Sequence, residues 1–172
     1  MPRPARNPTM KDAPAPDAPI IDVAIPCRAW RRSLPGAARL ARATVRAVLA
    51  DAAIRSAEVS LRFSDDEEMR GLNRRWRGKD SPTNVLSFPT GDSHHLGDVV
   101  LALETVSREA SAQGKPLAHH VRHLIVHGVL HLLGHDHQRG RDAARMEDRE
   151  RRILAGFGVG DPYAMSATAD HG

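Results

Sequence analysis

The spacing of apolar positions along the chain predicts alternating strands and helices. Short β-rich or alternating runs predict strands, and longer runs with an apolar residue every three or four positions predict helices. Together they predict an α+β fold: a single domain with about four strands in a mixed sheet, packed with about five helices. The predicted strands cover residues 20–25, 57–63, 83–88 and 96–103, and the predicted helices cover roughly 35–53, 64–76, 104–113, 116–133 and 140–156.

Residues typical of helix ends and turns predict where these helices and strands begin and end. Ser64-Asp65-Asp66-Glu67 predicts a capping box, with Ser64 at the helix N-cap and Glu67 three residues later. Thr90-Gly91-Asp92-Ser93 predicts a tight turn that joins the third and fourth strands in a hairpin. Pro116 predicts the start of a long helix that ends at Gly134, and we expect this helix to be central.

The two ends of the chain differ from its middle in composition. Residues 1–18 hold five prolines and few large apolar groups, which predicts a disordered tail. We expect residues 19–165 to form the folded domain and residues 166–172 to form a flexible tail.

Composition limits the class of protein further. The single cysteine, Cys27, excludes an intramolecular disulfide and favours a reducing compartment. No apolar run approaches the roughly 18 residues of a membrane span, and the first residues lack the apolar stretch of a secretory signal, so we expect a cytoplasmic protein. The net charge of +4 and the pI near 10.0 fit a polyanionic partner such as nucleic acid, although GC-rich genomes give arginine-rich proteins without that role.

Three histidines carry the most specific chemical signal. His127 and His131 are four residues apart, so they share one face of a helix. Gly134 can turn the chain back in a left-handed conformation, which would bring His137 to the same point. Three imidazoles with an open fourth position are typical of a catalytic metal site. The sequence therefore predicts one divalent ion at these histidines, either Zn²⁺ or another transition metal.

Two other histidines are alternative ligands. His123 precedes the helical pair by one turn, but it would lie roughly 12 Å from His131, too far to share one ion. His135 is only two residues from His137 and competes with it for the third position. The spacing H-x3-H-x2-G-x2-H, which matches that of zinc metalloproteases, favours His137. The role of His135 stays open.

A second polar segment, residues 72–89, lies between a predicted helix end and a strand. The guanidinium of Arg77 offers a planar set of donors that match phosphate oxygens, and Asp80 could hold Arg77 or Lys79 in place. On composition alone, a helix C-terminus with favourable cations in its last turn is the better interpretation. We likewise expect Trp76 in the core rather than as a platform for a nucleobase.

Together the two segments resemble the YbeY family of bacterial endoribonucleases, also called rRNA maturation factors. The resemblance covers about residues 20–165. It rests on Leu72-Asn73 with Trp76-Arg77-Gly78-Lys79-Asp80, on Pro82-Thr83-Asn84-Val85-Leu86-Ser87-Phe88-Pro89, on Leu96-Gly97-Asp98, on Gln113-Gly114-Lys115-Pro116, on His127-Gly128-Val129-Leu130-His131-Leu132-Leu133-Gly134-His135-Asp136-His137 and on Asp161-Pro162-Tyr163.

The resemblance implies residue roles and a function. It implies that His127, His131 and His137 are the metal ligands and that Arg77 is the catalytic arginine of a metal-dependent hydrolase. It implies action on single-stranded RNA, in maturation of the 16S rRNA 3′ end and in ribosome quality control, with small-subunit components as partners. The cation would lower the pKa of a water molecule, and Arg77 would stabilise charge on a phosphorane-like transition state.

Two other functions remain open. The first is a metalloprotease-like hydrolase, but Gly128 stands where those proteases place a glutamate as general base. The second is a non-enzymatic ribosome-assembly factor with a structural metal, but structural sites are usually closed by four protein ligands.

Overall fold

The computed structural model describes residues 18–135 and 140–164, so nearly all of the two predicted tails lies outside the described residues. The expected α+β fold with a four-stranded mixed sheet is confirmed, with six helices among these residues rather than about five. The additional helix, α1, has one turn and is too short for a periodic pattern. The elements are β1 (Ile20–Ala24), α1 (Ala29–Ser33), α2 (Ala37–Asp51), β2 (Glu58–Ser64), α3 (Asp66–Arg77), β3 (Val85–Pro89), β4 (His95–Ala102), α4 (Leu103–Ala112), α5 (Leu117–Leu132) and α6 (Gly140–Ala155).

The four strands form one sheet in the order β1-β2-β4-β3. β1 and β4 both run parallel to β2, with Leu61 paired to Val23 on one side and to Val99 on the other. β3 runs antiparallel to β4, with Leu86 opposite Val100, which confirms the predicted hairpin. The parallel pairs require helical crossovers, and these crossovers place helices over the sheet.

The larger core lies between one face of the sheet and helices α2 and α5. Phe63 and Leu101 point into it from the strands, and Trp30 of α1 packs edge-on against Phe63 with ring centroids 5.0 Å apart. Nine of the 16 residues of α5 are buried, which confirms that this helix is central. It begins after Pro116 and ends before Gly134, whose φ of 92° lies in the left-handed region, as the sequence predicted.

The opposite face of the sheet is only partly covered. Helix α3 packs there through Met69, which forms a small cluster with Leu86, Val100 and Ala102 of the strands. β4 is therefore buried on both faces along this stretch, which explains its continuous apolar run.

The N-terminus of α3 differs from the prediction by one residue. Asp65, not Ser64, is the N-cap, and its carboxylate accepts a hydrogen bond of 2.9 Å from the backbone N–H of Glu68. Ser64 is buried as the last residue of β2, where it pairs with Ala102. Strand pairing therefore extends through the residue that the capping-box pattern assigned to the helix.

Helix α5 approaches the sheet closely at Gly128. A Cβ atom at this position would lie 2.8 Å from Val99 Cγ1 and 3.1 Å from Ser87 Oγ. The Ser87 hydroxyl donates a 2.9 Å hydrogen bond to the Gly128 carbonyl, which joins β3 to the middle of α5. The missing side chain thus sets the distance between the sheet and the histidine-bearing helix.

We predict that Gly128→Ala lowers the free energy of unfolding by about 1–2 kcal/mol, because overpacking outweighs the gain in helix propensity. Gly71→Ala in α3 is the matched control, since nothing lies within 4 Å of its added Cβ. The control should raise stability by up to about 1 kcal/mol. Urea unfolding measures both, and equal stabilisation by the two substitutions would contradict the close approach.

Candidate metal centre and active-site cleft

Three histidines line one face of α5. His123, His127 and His131 follow one another at intervals of four residues, and each is partly exposed. The ring centroids of the first pair are 6.2 Å apart and those of the second pair 4.6 Å apart. The Nε2 atoms of His127 and His131 lie 3.1 Å from each other. The two rings that the sequence paired as metal ligands are therefore brought together.

The carboxylate of Glu150 is buried beside these rings. It is 0% exposed, and its Oε1 lies 2.6 Å from His127 Nδ1. Burial on its own raises the pKa of Glu150, but hydrogen bonds from His123, His127 and Tyr163 outweigh this effect and lower the pKa to about 2. An ionised carboxylate only accepts hydrogen bonds, so His127 Nδ1 carries a proton. His127 Nε2, the other ring nitrogen, faces His131.

Tyr163 closes the other side of Glu150. Its hydroxyl donates to Glu150 Oε2, and burial together with this carboxylate raises the pKa of Tyr163. Arg151 holds the segment in place, because its guanidinium lies 5.5 Å from the Tyr163 ring centroid and 3.0 Å from the Asp161 carboxylate. The C-terminal segment, α5 and α6 therefore meet at one buried charge.

A cleft of about 750 Å³ opens in front of the histidines. Arg77, the predicted catalytic arginine, lines it from the last residue of α3, opposite His127 and His131 on α5. Gly78 ends α3 with a φ of 68°, a left-handed conformation that favours glycine. The remaining wall is the loop from Lys79 to Asn84, together with β3 and Tyr163.

The loop after α3 is fixed by contacts that differ from the prediction. Asp80 forms a two-point ion pair with Arg70, at 2.8 and 3.0 Å, and not with Arg77 or Lys79. The Asn73 side chain, which is buried, donates a 2.8 Å hydrogen bond to the Ser81 carbonyl. These two contacts hold the loop against α3 and leave the Arg77 side chain at the cleft.

The expected burial of Trp76 is wrong. The residue is 62% exposed at the C-terminal end of α3, where it contacts Phe88 edge-on. The buried positions of α3 are Met69 and Asn73. Residue 76 continues the same helical face, but it lies in the last turn of the helix, where it stays exposed.

The residues at the site include two overlapping groups of ligand atoms. His123, His127 and Glu150 place one ligand atom each within 4.8 Å of the others, and such a group could hold a metal ion. His127 Nε2 and His131 Nε2 form the second group, at 3.1 Å. Two nitrogens at 2.0–2.1 Å from one tetrahedral ion lie about 3.3 Å apart, so this pair fits a shared ion. The 2.6 Å between Glu150 and His127 Nδ1 is instead a hydrogen-bond distance.

Two further histidines, His135 and His137, follow the C-terminal end of α5. His137 lies outside the described residues, so its role as third ligand stays a prediction. His135 donates its backbone N–H to the Leu130 carbonyl at the helix end, and burial and nearby Arg149 lower its pKa.

Two residues of the site were missed from the sequence. The charged residues of the last helix, Glu150 among them, predict a solvated face, and this prediction is wrong for Glu150, which is fully buried. A signal was present, since position 150 shares a helical face with buried Met146, Ile153 and Leu154. Tyr163 follows the last helix in an irregular segment, where no periodic pattern assigns a direction to its side chain.

Comparisons with known proteins agree in one family. Residues 28–158 match the family model described as Endoribonuclease YbeY. Relatives with that name include one from Azorhizobium caulinodans, 49% identical over 156 residues that cover 86% of this chain and 98% of the relative. Another, from Paramagnetospirillum magneticum, is 49% identical over 158 residues, 83% of this chain and 94% of the relative. A third, from a Chelativorans species, is 56% identical over 115 residues, 63% of this chain and 71% of the relative.

A solved structure shares the fold. The solution structure of a Thermotoga maritima protein superposes with a TM-score of 0.60 and 20% sequence identity, covering 88% of this chain and 100% of that chain. Among the described residues, no helix is both long and apolar enough to cross a membrane.

We predict that Glu150→Gln lowers the free energy of unfolding by about 1–3 kcal/mol in the presence of a chelator, because the buried amide cannot accept every bond that the carboxylate accepts. Glu147→Gln is the matched control on the same helix, where the carboxylate is partly exposed and, within residues 18–135 and 140–164, forms an ion pair only with Arg151. The control should change stability by no more than about 0.5 kcal/mol. Equal losses in urea unfolding would show that Glu150 has no special structural role.

Proposed function

The chain belongs to the YbeY endoribonuclease family, and we propose that it is a metal-dependent enzyme that cleaves single-stranded RNA in the cleft between α3 and α5. Family membership identifies a nuclease, which hydrolyses RNA. The observation that carries the proposed site is that Arg77, His127 and His131 line one cavity. A nuclease needs a group that activates water and a cation that neutralises the phosphate, and this cavity has candidates for both.

We propose His127, His131 and His137 as the ligands of one divalent ion, with zinc as the best-suited metal. The 3.1 Å between the two Nε2 atoms supports the first two ligands, and the H-x3-H-x2-G-x2-H spacing supports the third. Glu150 is then a positioning residue, since a carboxylate on the second ring nitrogen fixes the orientation of a metal-binding histidine and raises its basicity. His123 would hold Glu150 rather than the ion, as its Nε2 lies 3.4 Å from Glu150 Oε2.

Arg77 would act on the phosphate. A divalent ion at the histidines would supply Lewis acidity, which lowers the pKa of water towards neutrality. The guanidinium of Arg77, which lines the same cavity, would donate to phosphate oxygens and stabilise charge that develops on them. Glu150 would keep the proton of His127 on Nδ1, so that Nε2 remains free of it.

The packing at Gly128 argues against a metalloprotease. The position faces Val99 and Ser87 of the sheet so closely that any side chain there would be pressed against the two strands. A glutamate at this position could not serve as the general base of a protease. Cleavage of RNA and not of casein is the result that separates the two hydrolases.

We propose that the substrate is ribosomal RNA in the cytoplasm. The resemblance to rRNA maturation factors supports a role at the 16S rRNA 3′ end and in ribosome quality control, with small-subunit components as partners. The net charge of +4 supports a polyanionic substrate. If the protein were an assembly factor with a structural metal, chelation would lower its melting temperature while the purified protein showed no RNase activity.

We predict that Arg77→Ala lowers kcat for cleavage of single-stranded RNA by about 100- to 1,000-fold, the typical loss for one preorganised donor. Its zinc content should equal that of the wild type, because Arg77 is not a proposed ligand. Arg32→Ala is the charge-matched control, since Arg32 is exposed on α1 and lines neither of the two large cavities. Equal cleavage by Arg77→Ala and the control would remove Arg77 from the mechanism.

We predict that the wild type and His123→Ala, purified without added metal, contain close to one zinc ion per chain, and that His131→Ala loses it. Elemental analysis measures the content, and cleavage of RNA should stop in chelator and return with zinc. Loss of zinc from His123→Ala with retention in His131→Ala would instead identify His123, His127 and Glu150 as the ligands.

A further inference from the structure

A second cavity lies on the open face of the sheet. It has a volume of about 1060 Å³ and is bounded by α3 and by the outward positions of the strands. Leu72, Trp76, Phe88 and Val100 give it an apolar wall at the α3 end. Its acidic groups include Glu68, which Arg62 neutralises through a two-point ion pair, and Asp22 and Asp98 on the strands.

Trp76 presents an aromatic surface at this cavity. It is 62% exposed, and its only ring neighbour among the described residues is Phe88, at a centroid distance of 6.2 Å and an interplanar angle of 66°. The Arg75 guanidinium lies 5.6 Å from its centroid. An exposed indole beside an exposed guanidinium is a surface on which a flat, uncharged ring can stack.

Four cations flank this indole along the chain, and they form a cationic ridge at the C-terminal end of α3. Arg74, Arg75, Arg77 and Lys79 are all exposed, and no hydrogen bond or ion pair joins their side chains to another residue in ranges 18–135 and 140–164. The carboxylate of the adjacent loop, Asp80, forms its ion pair with Arg70. The positive charge of the ridge is therefore not neutralised by ion pairs with other described residues.

The ridge meets both cavities at Arg77, and its Lys79 lines the cleft with the histidines. Arg77, Ser87 and Pro89 line the cleft with the histidines and also line the second cavity. A chain that crosses Arg77 would thus pass directly from one cavity into the other.

We propose that Trp76 is a stacking platform for a nucleobase of the RNA substrate, which lies in the second cavity while the backbone crosses the cationic ridge to the cleft. This inference rests on the proposed function and assigns a second subsite to it. Bases of single-stranded RNA are free to leave their stack, so one of them can turn onto the indole. Trp76 does not take part in bond cleavage and acts by binding and positioning the strand.

The charge distribution favours a base over other occupants. Asp22 and Asp98 offset Arg42 and Arg77, so the cavity has no excess of cations for a phosphate, whereas an uncharged base fits its apolar end. The phosphates on either side of that base would lie along Arg74, Arg75, Arg77 and Lys79. A protein partner that docks on the same face is the competing occupant, and it would leave RNA binding independent of Trp76.

The first test measures binding of a labelled single-stranded RNA of about 12 nucleotides to the full chain in chelator, where it is not cleaved. Trp76→Leu keeps an apolar side chain without a ring and should raise Kd by about 5- to 100-fold, whereas Trp76→Phe should retain most of the affinity. Ile20→Ala is the control, since Ile20 is 43% exposed and lines neither large cavity. Wild-type affinity in Trp76→Leu would overturn the inference.

The second test locates the base. A series of RNAs, each with one abasic nucleotide, should reveal one position where the missing base weakens binding to the wild type. Trp76→Leu should be indifferent at that position alone, which a general structural defect would not produce. An identical abasic profile for both proteins would overturn the stacking role.

The proposed function and this inference fail in different ways. If zinc-loaded wild type cleaves single-stranded RNA but Trp76→Leu matches it in binding and in abasic profile, only the stacking subsite is wrong. If the wild type neither binds nor cleaves RNA, the proposed function is wrong and the subsite is wrong with it.

Discussion

The buried carboxylate of Glu150 is the interaction on which the site depends. A charge inside a protein is costly unless hydrogen bonds replace its hydration, and here they come from His127, His123 and Tyr163. These donors belong to α5 and to the C-terminal segment, while the acceptor belongs to α6. One charge therefore joins three parts of the chain and fixes the proton of His127 on the nitrogen that faces away from the cleft. The same contact contributes to the fold and prepares the ring to bind an ion.

The packing of α5 determines where that ring lies. Gly128 lets the helix approach β3 and β4 until their side chains would contact an added Cβ, and the Ser87 hydroxyl joins strand to helix at this point. The histidines one residue before and three residues after Gly128 lie on the neighbouring face of the helix, which lines the cleft. Helix α3 reaches the same cleft from the second face of the sheet and brings Arg77 there with its last residue. One face of α5 therefore packs closely on the sheet, and another face presents the histidines to the cleft.

Much of the fold and part of the site could be predicted from local patterns. Strand alternation, the hairpin and the limits of α5 at Pro116 and Gly134 follow from short-range preferences, which tertiary packing here reinforces. Pairing of His127 with His131 follows from helical spacing alone. Glu150 could not be assigned to the interior by its chemistry, because a buried glutamate depends on partners distant in sequence. The prediction that Trp76 is buried was wrong because it rested on residue type alone. A large aromatic residue predicts burial, but the place of Trp76 at the end of α3 leaves it exposed.

The most direct measurement is anomalous diffraction at the zinc edge from crystals of the zinc-loaded protein. We expect one peak about 2.0–2.1 Å from Nε2 of both His127 and His131, with Glu150 still hydrogen-bonded to Nδ1 of His127. A peak bound by His123 and Glu150, beyond coordination distance from His131, would contradict the role of Glu150 as the residue that orients His127.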